Sequence, residues 1–218
     1  MTRYSDYDCL SGRIDLICGP MFSGKSTELI RLVRRFSIAE KRCLVIKWAD
    51  DQRYSVTGVA THTGEQLEAN LACKDLEGAA QVVGMYDVVA IDEGQFFPGL
   101  ADFCERTANM GKHVIVAALS GKWSREPFPE VAKLMSMCED VTMLKAVCKR
   151  CKNRDAAFSA RLTESNSDVE IGGTESYVAV CRKCFHSVSR SGTEKLSAKA
   201  TNPITDGLTH MDAQAVEQ

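Results

Sequence analysis

Charge of one sign, long apolar runs and a secretory leader are all missing from this chain of 218 residues. Its 27 basic and 29 acidic side chains leave a formal net charge of −2, so the whole has no pull on a phosphate backbone or an anionic membrane. Any nucleic-acid contact would need a local patch. The longest apolar stretch, residues 114–119, falls far short of the roughly 20 residues that cross a bilayer. Residues 1–13 are polar and charged with no apolar centre for a signal peptide, which points to a reducing, cytoplasmic setting. No internal repeat or long low-complexity tract is evident. What is present is an ordinary globular balance, 44% hydrophobic and 26% charged, enough for one domain with a small appendage. Cysteine is the exception to this plainness. There are ten, and in a reducing compartment paired cysteines point to metal.

Residues 12–147 alternate short apolar runs with helix-like segments, the runs being 14–18, 43–46, 88–91, 114–118 and 141–147. Most are continuously apolar, as strands buried on both faces of a parallel sheet are. The expected fold is α/β, a parallel sheet with helices on both faces. Residues 148–186 differ. There 156–160 and 177–180 read as short strands, separated by a polar loop with Gly172 and Gly173, in a module too small for its own core. Residues 187–218 carry Ser, Thr, Lys, Ala and Gln without aliphatic periodicity and read as a disordered tail.

Gly19, Pro20, Met21, Phe22, Ser23, Gly24, Lys25 and Ser26 match the pattern of a phosphate-binding loop, with an apolar strand before it and a helix-periodic segment, 27–40, after it. The order strand–loop–helix is what the chemistry needs. Glycines let backbone N–H groups face the phosphates, and the helix N-terminus adds positive potential. Lys25 would reach the outer phosphates and the Ser26 hydroxyl would ligate magnesium. The bland alternative is a glycine turn capping a core helix. After the run 88–91 come Asp92 and Glu93. A carboxylate at the end of a buried strand suits magnesium, and the next one is free to act as a general base in a kinase or to orient water in an ATPase. The pair does not say which. Phe96 and Phe97 beside it serve either the core or a planar ligand.

Cys148 and Cys151, then Cys181 and Cys184, form two C-x-x-C knuckles that can close a tetrahedral zinc site with four thiolates. The site reads as structural, with an insertion between the knuckles. Cys9, Cys18, Cys43, Cys73, Cys104 and Cys138 are unpaired by spacing and read as buried or inert thiols. Lys149, Arg150, Lys152, Arg154, Arg182 and Lys183 surround the knuckles. They suit a nucleic-acid contact, or more simply the charge of four thiolates or plain solvation.

The loop just described with Thr27, the Asp92-to-Phe97 segment and the four-cysteine module together resemble the type II thymidine kinases, over about residues 13–185. The likeness continues through Asp51, Arg53, Leu119, Arg125, Phe128, Gly172 and Tyr177. The resemblance implies a P-loop NTPase-like kinase domain at 12–147, a zinc-ribbon module at 148–186 whose inserted loop is the family's lasso, and the tail. It implies ATP-dependent phosphorylation of thymidine, and of deoxyuridine, in nucleotide salvage for DNA synthesis, by a cytoplasmic homotetramer fed back on by thymidine triphosphate. It makes Glu93 the base, with Lys25 and Arg53 also catalytic. Gly19 to Thr27, Asp51, Arg53, Asp92 and Gln95 would hold ATP, with Ser26 and Asp92 serving magnesium. Thymine would sit among Met21, Phe96, Leu119, Trp123, Phe128 and Ser159. The backbone of Val169, Glu170, Ile171 and Gly172 would read its edge, and Tyr177 would close over it. Trp123 and Ser159 stand where many relatives carry Phe and Thr. Neither a nucleic acid nor a membrane is an expected partner. The rival readings are a nucleic-acid-stimulated ATPase with a zinc foot, and a P-loop scaffold without turnover.

Overall fold

The central apolar runs all form strands, and their period of two sends side chains alternately into two separate cores. The computed structural model describes residues 12–51, 58–60, 66–162 and 175–190. Strand β1 (Arg13–Gly19) leads through the phosphate loop into helix α1 (Lys25–Ile38), followed by β2 (Cys43–Trp48). A short antiparallel pair, β3 (Gly58–Ala60) and β4 (Gln66–Glu68), precedes β5 (Leu71–Cys73) and helix α2 (Glu77–Val82). Then come β6 (Val88–Ile91), α3 (Leu100–Asn109), β7 (His113–Leu119), α4 (Pro129–Met135) and β8 (Asp140–Met143). These build a six-stranded sheet in the order β5-β2-β6-β7-β1-β8, parallel at every pairing.

Parallel strands need a crossover, and the crossovers place helices on both faces. On one face Ile14, Leu16, Leu44, Ile46, Val89, Ile91, Val114 and Val116 pack against residues of α2, α3 and α4. On the other, Ile17, Val45, Val88, Ala90, Ile115 and Ala117 pack against Leu29, Ile30, Val33 and Phe36 of α1. Helix α1 starts at Lys25, earlier than the apolar pattern from residue 27 suggests, because its first turn is polar and serves the loop rather than the core. Gly24 supports this start from the left-handed region, at φ 85°.

Two expected strands are broken. The run 141–147 divides into β8 and β9 (Ala146–Val147), which belong to different sheets. The chain leaves the main sheet where the Leu144 N–H donates to the Cys18 carbonyl at 2.7 Å. Its passage requires Gly19, since a Cβ there would lie 2.6 Å from the Leu144 carbonyl oxygen. The run 156–160 divides at Ala157 into β10 (Asp155–Ala156), which pairs with β9, and β11 (Phe158–Arg161), which pairs with β12 (Tyr177–Val180). Helix α5 (Arg182–Arg190) follows, beginning between the third and fourth cysteines and running past His186. The rest of the expected tail, 191–218, lies outside the described residues. The small core of this module is mostly Ala and Cys, with Val180 and Phe185.

Candidate active site and metal centre

Because every strand of the main sheet is parallel, the C-terminal ends of β1, β2, β6 and β7 share one edge. Chains leaving that edge carry the phosphate loop, Asp51, the Asp92–Phe96 segment and the Leu119–Phe128 segment. Crevices at such an edge are where open α/β sheets bind ligands. Within the loop the Lys25 ammonium donates to the Pro20 carbonyl at 2.9 Å, and the Ser23 hydroxyl donates to the same oxygen at 2.9 Å. Phe22 holds a left-handed φ of 63°. Thr27 is exposed at the start of α1.

The Ser26 hydroxyl lies 3.0 and 3.1 Å from the two carboxylate oxygens of Asp92, which joins the first turn of α1 to the end of β6. Asp92 is buried, 6% exposed. Burial pushes its carboxyl up to about 7, helped by the negative charges of Glu93 and Asp51 and opposed by the Ser26 hydroxyl and the Lys25 ammonium. Three carboxylates brought this close, with one buried, form a site that favours a cation. Hard oxygen donors, a serine hydroxyl and an aspartate, are the ligand chemistry of magnesium.

Glu93 is half-buried and its backbone is left-handed, at φ 54° and ψ 41°. This is an uncommon conformation for a non-glycine residue and marks a held position. The single-turn helix that follows, Gly94–Phe96, is seated tightly on β7. A Cβ on Gly94 would meet Val116 Cγ1 at 2.6 Å. The Gln95 amide donates from Nε2 to Glu93 Oε2 and accepts the Leu119 N–H on Oε1 at 2.9 Å. Phe96 packs 5.7 Å from the Trp48 ring, and Phe97 packs 5.1 Å from it, edge on.

The expected base pocket is divided between the main sheet and the cysteine module, and several contacts join them. The Met21 N–H donates to the Ser159 hydroxyl at 2.9 Å, in a buried bond from the phosphate loop to β11. The Arg161 guanidinium lies 4.8 Å from the Trp123 ring centre and 5.7 Å from that of Tyr177, and donates to the Tyr177 hydroxyl at 3.2 Å. Arg125, left-handed at φ 71°, lies 4.8 Å from the Phe185 ring and 5.9 Å from Phe158. Such cation–π contacts contribute about 0.5–2 kcal/mol each. Leu119 and Phe128 pack with the main apolar cluster. Arg53, Val169, Glu170, Ile171 and Gly172 lie outside the described residues. The sequence reading missed Arg161, the ring contacts of Arg125 and the bridge made by Gln95. Nothing local marks them, since each makes at least one of its contacts with a residue distant in the chain.

The four cysteines converge. The Sγ atoms of Cys148, Cys151, Cys181 and Cys184 all lie within 4.8 Å of one another, Cys151 and Cys181 being 4.0 Å apart. A tetrahedral zinc with Zn–S bonds of about 2.3 Å sets its sulfurs about 3.8 Å apart, so the donor set and its spacing fit that ion. Burial alone would raise the Cys148 thiol, but N–H groups of Cys151, Cys181 and Arg150 draw it down to about 6. Burial and the neighbouring sulfurs push Cys184 up to about 12. Four clustered thiols cannot all ionise without a cation among them. His186 is exposed, just beyond the fourth cysteine.

No helix among the described residues is long and apolar enough to cross a membrane. The thymidine kinase family model matches residues 12–185. The chain is 45% identical over 194 residues to thymidine kinase 1 of Dictyostelium discoideum, covering 87% of this chain and 85% of that one. It is 43% identical over 204 residues to the cytosolic thymidine kinase of Gallus gallus, covering 94% and 89%. To the thymidine kinase of Vaccinia virus (strain Ankara) it is 50% identical over 177 residues, covering 80% and 97%. With its parallel sheet, its phosphate loop and its four-cysteine module, the chain belongs to the thymidine kinase family, in the type II branch, and is a kinase.

Proposed function

We propose that this kinase transfers the terminal phosphoryl group of ATP to the 5′-hydroxyl of thymidine, and of deoxyuridine, with Glu93 as general base. The observation that carries the reading is the Ser26–Asp92 contact with Glu93 beside it, at the mouth of the phosphate loop. Gly19 to Thr27 cradle the phosphates with backbone N–H groups, with Asp51 beside them, and Lys25 and Arg53 steady the transferring group. A magnesium ion held by Ser26 and Asp92 neutralises phosphate charge when bound. The Glu93 carboxylate takes the 5′-hydroxyl proton as that oxygen bonds to the terminal phosphorus. The bond from phosphorus to the bridging oxygen breaks, and ADP leaves. The left-handed backbone at Glu93 holds the carboxylate at a fixed post, which supports this role.

The 12–147 unit is the kinase domain and the 148–186 module carries the lasso over the base. Met21, Phe96, Leu119, Trp123, Phe128, Ser159 and Tyr177 enclose thymine, and the backbone of Val169, Glu170, Ile171 and Gly172 reads its edge. Zinc, held by the four cysteines, staples the root of the lasso. Closure excludes water, which would otherwise take the phosphoryl group. The enzyme works in the cytoplasm as a homotetramer, with thymidine triphosphate as feedback inhibitor.

The test is phosphoryl transfer from ATP–magnesium with thymidine, deoxyuridine, deoxycytidine or no nucleoside. Product is expected with the first two. Deoxycytidine is rejected by about 10²-fold or more, because its amino group presents a donor where the lasso backbone needs an acceptor. Equal use of deoxycytidine, or hydrolysis without nucleoside, would overturn the reading.

A further inference from the structure

The resemblance gives Gln95 a part in holding ATP, but its side chain is occupied elsewhere. It is buried, 8% exposed, and both ends of its amide are bonded. Nε2 donates to Glu93 Oε2, and Oε1 accepts the Leu119 N–H at 2.9 Å. Leu119 is the last residue of β7, where the ladder to β1 ends at the Gly19–Leu119 pair. The next N–H along, that of Ser120, donates to the Gly19 carbonyl. Gln95 thus satisfies a backbone donor at the rim of the sheet and passes that fixed point on to one oxygen of the Glu93 carboxylate.

The surroundings leave Gln95 no room to drift. Gly94 packs on Val116 with no space for a Cβ, and Phe97 on the other side is 1% exposed. Glu93 itself is in the left-handed region, so its side chain leaves the backbone in a direction set by this turn. A base must lie within hydrogen-bond reach of the proton it takes, and the bond from Gln95 fixes where one oxygen of this carboxylate lies. The geometry points to Gln95 as a positioning residue that orients the Glu93 carboxylate by tying Oε2 to the end of β7. This rests on Glu93 being the base, as proposed above. Because Leu119 also borders the expected thymine pocket, the same amide keeps the base and the nucleoside on one rigid frame.

Two substitutions separate the two bonds. In Gln95→Glu the carboxylate still accepts the Leu119 N–H, so the rim stays satisfied, but a second carboxylate now faces Glu93 where a donor stood. In Gln95→Met both bonds are lost in a side chain of similar length. The kcat and the KM values for ATP and thymidine are measured for both variants and for Glu93→Gln, with thermal melting of each. Both Gln95 variants are expected to lose kcat by about 10-fold or more, with KM for ATP within about 3-fold of the parent, while Glu93→Gln loses about 10²-fold or more. Should Gln95→Met melt early, Gln95→Glu carries the test alone. A merely structural Gln95 would leave Gln95→Glu with parental kcat, and a phosphate ligand would raise KM for ATP at unchanged kcat. Either result overturns the positioning role while leaving Glu93 as base. Retained activity in Glu93→Gln would instead remove the base, and the positioning role with it.

Discussion

At the residue scale the functional positions divide into those that chemistry forces and those that tertiary geometry recruits. Lys25, Ser26 and Asp92 stand out in the sequence as candidates because a phosphate loop needs a lysine, a hydroxyl and a strand-end carboxylate in a fixed local order. The structure brings Ser26 and Asp92 within hydrogen-bond distance. Gln95 is not legible in the same way, since its partners Glu93 and Leu119 meet only when β6 and β7 lie side by side. Nor is the buried pair at the opposite end of the sheet, where His113 Nε2 lies 2.7 Å from Asp15 Oδ2 and Arg13 bonds the same carboxylate. Burial would raise the Asp15 carboxyl, but His113 and Arg13 together hold it below its ordinary value of 3.8. A depressed carboxyl contributes stability that is full above its unfolded value and is lost as pH falls through the folded one. Replacing His113 with Gln makes Asp15 easier to protonate. The acid unfolding midpoint followed by circular dichroism should therefore move to higher pH, with about 1–3 kcal/mol lost at neutrality. An unchanged midpoint would show that Arg13 alone sets the Asp15 carboxyl.

At the scale of elements, continuous apolar runs were sufficient for the four central strands, because a parallel sheet buries both faces and needs no alternation. The residues that follow β7 and β8 were harder to read. Strand β8 is short, lies at the sheet edge and has Val141 and Met143 exposed, so its apolar content continues into β9 without a break in pattern. The division at Leu144 comes from Gly19 admitting the chain, a contact between residues far apart in sequence. Helix α5 was hidden by its polar composition, and it forms where Cys184 and Phe185 are drawn into the module's core. That core is mostly Ala and Cys, so the four-sulfur centre must supply what apolar burial does not. The chain should carry about one zinc, measured by elemental analysis. Cys184→Ser or a strong chelator should lower zinc content and the melting midpoint together, and raise KM for thymidine more than KM for ATP. Full stability without metal would remove zinc from the account.

At the scale of the whole molecule the main sheet carries the phosphate-loop segment, and the module reaches it through a few bonds. Met21 to Ser159 joins the phosphate loop to β11, while Trp123 and Arg125 bring the segment after β7 onto Arg161, Phe158 and Phe185. These bonds connect the module to both the phosphate-loop segment and the expected base pocket. The parallel sheet and the convergence of the four cysteines were legible in outline, from continuous apolar runs in one half and paired cysteines in the other. The contacts between the halves were not, because they depend on how the chain returns across the end of the sheet. The role of Glu93 is decided by transfer of labelled γ-phosphate from ATP to thymidine by the parent chain and by Glu93→Gln, with ATP binding measured alongside. With Glu93 as base, transfer is thymidine-dependent in the parent and falls about 10²–10⁴-fold in the variant, with ATP binding unchanged. Transfer at the parental rate by Glu93→Gln would contradict that role.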